Sequence, residues 1–330
     1  MSFRQLLFLF GLIAISVAGC NQPDSHLAEA ARRSNLGSKL LEQGKYQDAI
    51  AEYDEAILLA PEIGELFLNR GHARSLLGYY PHALDDLDNA IRLNPNLADA
   101  HKLRGYIRFK LGDPKEAVTD FNEAIRLNPN VLDSYNNRGM AYAQLNQPEK
   151  AIPDFDKAIK LTPKNPEIYN NRGMAWNLLE EYDKALADLN IAIKLAPEQA
   201  IFYLTRAVSH YEKGEYEKSL ADLDEGNRLD PDNFLICQNR AWIHSTSQDP
   251  QFRNGKKAVE DALKTCELSD WKNMDFQATL AAAYAESGDY EKAVEIQERV
   301  VGQQQIPKEK RAEHESILDL YKAGKPLRYP

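Results

Sequence analysis

Six arginines stand 34 residues apart, at Arg70, Arg104, Arg138, Arg172, Arg206 and Arg240. Sixteen residues after the first five come Asp86, Asp120, Asp154, Asp188 and Asp222. The sixth has Asp261 as its counterpart, counted past a short insertion. A guanidinium and a carboxylate at fixed spacing can form a bidentate ion pair. Where Arg is replaced by Leu280, Asp is replaced by Ile296, so the two residue types vanish together. That joint behaviour points to a physical pair, either within one repeat, which the joint loss favours, or from one repeat to the next. A stacking device explains the pattern better than a site for charged ligands.

One residue before each arginine lies a second column: Asn69, Asn137, Asn171 and Asn239, with Leu103 and Thr205 at the remaining places. Asn35 precedes Leu36 at the corresponding place of an earlier unit. An amide donates and accepts, so such a column can hydrogen-bond an extended polypeptide backbone whatever its sequence. The competing reading is that these amides bond neighbouring helices or water.

The elements that carry these residues follow from the same ruler. Prolines recur at Pro61, Pro95, Pro129, Pro163, Pro197 and Pro231, and alanines at Ala49, Ala83, Ala117, Ala151 and Ala185. A period in this range marks a stacked repeat array. Numbered from Ala30, each unit reads as two helices, at positions 1–14 and 18–31. Apolar or aromatic residues fall at positions 4, 11 and 24, and small ones at 8, 20 and 27. The small residues at 8 and 20 are expected to face each other and let antiparallel helices approach. Gly44, Gly78, Gly112 and Gly214 would end first helices, and the prolines stop the second ones.

On Phe67, Gly71, Ala83, Leu87, Ala90 and Pro95, and on Tyr135, Gly139, Tyr142, Ala151, Phe155, Ala158 and Pro163, the chain resembles the tetratricopeptide repeat family. The resemblance covers roughly 30–300. It implies an all-α solenoid of about eight helix-turn-helix repeats forming a right-handed superhelix. The expected units are 30–63, 64–97, 98–131, 132–165, 166–199, 200–233, 234–273 with an insertion at 249–255, and 274–307. A capping helix and tail would occupy 308–330. In this family the first helices line a concave groove. The implied peptide-binding residues are Asn35, Asn69, Asn137, Asn171 and Asn239, beside Lys102, Tyr106, Phe109, Met140 and Met174. The groove departs from the family's carboxylate clamp, which needs several Lys and Arg around Asn; this one offers chiefly Lys102 and Lys110.

Residues 1–19 read as a bacterial export signal: Arg4, an apolar run from Leu6 to Ala18, then small residues. Val17-Ala18-Gly19-Cys20 resembles the lipobox of bacterial lipoproteins. That resemblance implies cleavage before Cys20, acylation of its thiol, and a short tether over 20–29. Asn21, rather than aspartate, favours the outer membrane, facing the periplasm. Cys237 and Cys266 lie on facing helices of one unit and either form a disulfide in an oxidising envelope or remain two buried thiols.

With 40 Lys and Arg against 50 Asp and Glu, the net charge is −10, which argues against nucleic acid as a partner. No zinc-protease, phosphate-loop or paired-cysteine motif occurs. His72 and His101, on neighbouring first helices, are better explained by packing or solvent than by a metal. We expect a non-enzymatic scaffold, without cofactor or metal, anchored through Cys20 and binding a protein or extended peptide. The alternative is a structural assembly subunit that uses its convex surface or edges.

Overall fold

The computed structural model describes residues 25–303 and 306–329, and the described residues are all-α apart from turns and a single isolated bridge. The signal over 1–19, Cys20 and residues 21–24 lie outside them. Contacts divide the chain into two compact units, 1–171 and 172–330.

The first unit holds four helical hairpins: α1 (Ser25–Glu42) with α2 (Tyr46–Leu59), α3 (Gly64–Leu76) with α4 (Tyr80–Leu93), α5 (Ala98–Leu111) with α6 (Pro114–Leu127), and α7 (Leu132–Gln144) with α8 (Pro148–Leu161). The division falls inside α9 (Pro166–Leu178). The second unit continues with α10 (Tyr182–Leu195), α11 (Ala200–Glu212), α12 (Tyr216–Leu229), α13 (Phe234–Thr246), α14 (Gly255–Leu268), α15 (Met274–Glu286), α16 (Tyr290–Gly302) and a single terminal helix, α17 (Lys308–Lys322). α1 begins at Ser25, so residues 25–29, expected as tether, are helical.

Local chemistry sets the helix ends. The residue before each repeated proline leaves the helical region, as at Asn94 (φ −140°, ψ 93°) and Asp230 (φ −139°, ψ 84°), because the proline ring crowds the preceding backbone. Between the two helices of every repeat but the seventh, whose connection is lengthened, the chain uses one left-handed residue. Gly112 supplies it with φ 90°, whereas in the fifth repeat Glu180 takes φ 58°.

The close approach inside the hairpins involves one residue more than expected. Positions 8 and 20 do meet, as where Ser219 donates to the Ala207 carbonyl at 2.8 Å, but at Gly37, Gly105, Gly139 and Gly173 the nearest neighbour of position 8 is the bulky residue at position 24. A Cβ on Gly139 would stand 2.8 Å from the Phe155 ring, and one on Gly37 2.8 Å from the Tyr53 ring. The alanines at position 20 are fully buried, and those at position 27 nearly so, which keeps the paired helices close. α17 covers the exposed end of the second unit, burying Leu318 and Tyr321 while Ile317 packs at the margin of the same cluster.

The insertion after α13 forms a 3-10 turn, Pro250–Phe252, capped by Asp249. Phe252 packs edge-on to Tyr216, with ring centroids 5.7 Å apart, and its carbonyl lies 2.7 Å from His244 Nδ1. α14 then opens at Gly255, one residue earlier than expected, where a Cβ would meet the Ser287 backbone nitrogen at 2.6 Å.

The possible disulfide is not formed: Cys237 and Cys266 are buried free thiols. Cys237 Sγ turns toward the preceding turn, 3.7 Å from Asn227 Oδ1 and 3.9 Å from the Pro231 carbonyl oxygen. Cys266 is instead part of the apolar cluster around Ala241 and Ala262. Burial pushes both thiols up, Cys266 to about 11, so neither is a thiolate at neutral pH.

Candidate functional site: the first-helix face and its arginine staples

The second to seventh repeats each place an arginine on the first helix and an aspartate on the second, and the two meet as a fork. Arg138 donates from Nε and Nη2 to Asp154 at 2.7 and 2.6 Å. Arg172 and Asp188 repeat the same two distances, and Arg206 holds Asp222 at 2.8 and 2.6 Å. Arg70–Asp86, Arg104–Asp120 and Arg240–Asp261 form the remaining pairs. The carboxylates are buried, so each guanidinium compensates a charge that water cannot reach. At Arg206 the bond to Asp222 is the strongest influence and raises the guanidinium further, against burial.

The third arginine nitrogen reaches backward. Arg70 Nη1 meets Asp54 at 2.5 Å, and Arg104 Nη1 meets Asp88 at 2.6 Å. Arg138 Nη1 meets Asn122 at 2.7 Å, Arg206 Nη1 meets Asn190 at 2.7 Å, and Arg240 Nη1 meets Asp224 at 3.0 Å. These acceptors all sit at position 25 of the preceding repeat. The within-repeat pair and the repeat-to-repeat link, read from sequence as alternatives, therefore coexist at these five arginines. The acceptor column was readable as Asp54, Asp88, Asn122, Asp156, Asn190 and Asp224, each one 34 residues after the last. Arg74 and Arg108 add further bonds to Asp86 and Asp120, at 2.8 and 2.9 Å. In the first repeat Glu52 pairs with Arg33 at 2.9 Å. In the eighth, Leu280 and Ile296 are buried in one apolar cluster.

The asparagine column is not uniform. In the first unit Asn35 is exposed, while Asn69 and Asn137 are half-buried. Among the described residues neither of the latter two amides has an intramolecular hydrogen bond. Asn171 instead donates to Asn136 Oδ1 at 3.1 Å. In the second unit Asn239 turns back to the Leu235 carbonyl of its own helix, at 2.8 Å. The buried Thr205 does the same with Ile201, at 2.9 Å. The reading in which these residues serve neighbouring backbone or side chains thus holds at Asn171 and Asn239. Among the described residues the side-chain amides of Asn35, Asn69 and Asn137 have no such bond.

Apolar surface flanks Asn69 and Asn137. Tyr106, Phe109 and Met140 are half-buried on α5 and α7. Lys110 lies 5.6 Å from the Tyr106 ring centroid, and Met140 sulfur accepts from Asn136 at 3.7 Å. Met174, in the second unit, is 49% exposed. Lys102 is not the open cation that the sequence suggested. It is 6% exposed, with Nζ 2.7 Å from Asp99. Burial raises the nearby Asp133 carboxyl, and the charge of Lys102 partly opposes that rise.

His72, buried on α3, faces the same cluster. Burial first, and then Lys102, lowers its imidazole to about 4. The unfolded chain therefore binds more protons between about pH 4 and 6.5 than the folded one. The stability from a neutral His72 is complete above about pH 6.5 and is lost as pH falls toward 4, by on the order of 3 kcal/mol. His72→Met, which supplies the residue found at this position in the fourth and fifth repeats, should flatten that part of the curve. Chemical denaturation at a series of pH values measures it, and parallel curves for the two proteins would refute it.

Comparison with known proteins places this geometry. Tetratricopeptide repeat sequence families match residues 98–131 and 132–165, residues 34–78 and 179–234, and residues 275–305. No curated protein matches the sequence. Among solved structures, a tetratricopeptide repeat protein from Parabacteroides merdae is similar with a TM-score of 0.62 at 19% identity, covering 78% of this chain and 99% of that one. PilF of Pseudomonas aeruginosa gives 0.57 at 16%, covering 66% and 99%. YrrB, described as having an unusual peptide-binding site, gives 0.50 at 24%, covering 57% and 97%. The family matches fall on the 34-residue hairpins from which the structure is built, and the chain belongs to the tetratricopeptide repeat family.

Proposed function

We propose that this protein is a non-enzymatic scaffold, tethered through Cys20 to a bacterial envelope membrane, that holds a protein partner in extended form along its first helices. The observation that carries the reading is the pair of half-buried, unpartnered amides at Asn69 and Asn137, set beside Tyr106, Phe109 and Met140. Free amides supply backbone hydrogen bonds. The aromatic and methionine surfaces supply adaptable apolar contact. The shared fold with YrrB, a protein described as peptide-binding, is consistent with this use. An acyl group on Cys20 would hold the array against a membrane, with more than one chain needed for stable attachment. The lipobox-like Val17–Cys20 run and Asn21 support an outer-membrane address facing the periplasm.

One cellular experiment tests both halves. Cys20→Ser should move the protein from the membrane to the soluble fraction. A photocrosslinking residue at Asn137 should capture a discrete partner, which Asn69→Ala should weaken, whereas the same group at Asp85, on the outer helix α4, should not. Capture from Asp85 and none from Asn137 would replace groove binding with a fixed assembly role. Unchanged fractionation of Cys20→Ser would remove the lipid tether.

A further inference from the structure

The segment after α17 does not stop at the cap. It turns at Gly324 (φ 66°) and runs extended through Lys325–Tyr329 onto the C-terminal end of α13. Tyr329 donates its backbone N–H to the Thr246 carbonyl at 2.9 Å and forms a parallel bridge with Ser247. Its ring packs edge-on to Trp242, with centroids 5.4 Å apart. Arg328 pairs with Glu286 at 2.6 Å and reaches the Ser245 carbonyl at 3.4 Å. Trp242, Ser245 and Thr246 occupy positions 9, 12 and 13 of their repeat, and Glu286 occupies position 13 of the next. Positions 9, 12 and 13 belong to the helix face that carries Asn69 and Asn137 in the first unit.

A second observation sets this place apart. A cavity of about 250 Å³ opens beside the segment, lined by Gln238, Trp242, Gln297, His314, Tyr321 and Tyr329, among others. Around it, Gln297 Oε1, Tyr321 OH and Gln238 Oε1 have no hydrogen-bond partner, although Gln297 is wholly buried and Tyr321 is 1% exposed. Buried polar atoms without partners are costly, and each calls for an explanation.

We propose that the face from Trp242 to Ser247, closed by Glu286 and the adjoining cavity, is a binding site for an extended peptide carrying a basic residue followed by an aromatic one. The chain's own Leu327–Tyr329 is its displaceable resident. Recognition combines one backbone bond of the strand-addition kind, a carboxylate for the basic side chain, and an indole edge for the aromatic ring. The inference deepens the scaffold reading but rests on residues of the second unit only. Failure here leaves capture at Asn137 untouched, and the reverse also holds.

The test uses the full chain, a variant lacking residues 325–330, and a fluorescent synthetic peptide of residues 325–330, at protein concentrations up to about 1 mM. The truncated protein should bind the peptide saturably, and the intact chain about tenfold or more weaker, because its site is already filled. Glu286→Lys in the truncated protein should abolish binding, and a peptide with Arg328→Glu should restore it. If truncation lowers helix content, full-length Arg328→Glu with Tyr329→Ala replaces it, with the same expectation. A folded protein with its segment removed or weakened that ignores the peptide overturns the proposal. So does equal binding by the intact chain.

Discussion

Arg138→Leu should destabilise the protein by roughly 3–5 kcal/mol, and adding Asp154→Leu should return most of that loss. The asymmetry follows from burial. Asp154 is 5% exposed, and without Arg138 its carboxylate is left stranded where water does not reach. Asn122, the other partner, is exposed and can turn to solvent. Removing both charges leaves an apolar contact, and the protein already contains one at the matching place: Leu280 and Ile296 stand there in the eighth repeat, both buried. Thermal and urea unfolding of wild type, each single variant and the double variant measure the coupling. As a control, Arg32→Leu should leave the melting temperature unchanged, because Arg32 and Glu29 pair on the surface. If the double variant falls as far as Arg138→Leu alone, the pair is not what holds the hairpin.

The second large effect is steric. Gly139→Ala should cost about 1–3 kcal/mol, because the new methyl would meet the Phe155 ring at 2.8 Å inside a filled core. Phe155 is 1% exposed, so the ring has no open space to move into. The sixth repeat shows the remedy. There Ala207 stands where the first five repeats carry glycine, and the residue at position 24 is Leu223, both buried. Adding Phe155→Leu to Gly139→Ala should therefore recover stability, measured by the urea midpoint. A double variant less stable than Gly139→Ala alone would show that the ring is not the obstacle.

These cases show what the sequence made legible. The period, the two helices per repeat and the Arg–Asp pairing could be read because each repeat reuses the same contact. A residue type that returns on schedule reports a constraint that returns with it. Position 25 went unread because its role depends on how one hairpin stacks on the next, not on either hairpin alone. The contact of the position-8 glycine with the bulky residue at position 24 was missed because helical spacing gives faces, not which side chain crosses between them. The asparagines divided for a further reason. Asn171 and Asn239 have the same residue type and repeat position as Asn137, yet one finds a side-chain partner in Asn136 and the other its own helix backbone. Side-chain rotation decides that, and spacing carries no trace of it. Cys237 is similar: both thiols lie in one repeat, but its sulfur turns toward the repeat before.

The backward reach of the arginines has an evolutionary consequence. From the second repeat to the sixth, each 34-residue cassette carries a plug, its arginine, and offers a socket, its Asp or Asn at position 25, to the copy that follows. A cassette duplicated in tandem would arrive with a fitting already matched to its twin. Growth or shortening of such a protein by whole cassettes needs no new joint to be invented, whereas the end copies, which need no mate on one side, are released to change. The first repeat, which has none before it, carries Leu36 in place of the arginine, and at the joint between the seventh and eighth repeats plug and socket are lost together, as Leu280 and Leu263.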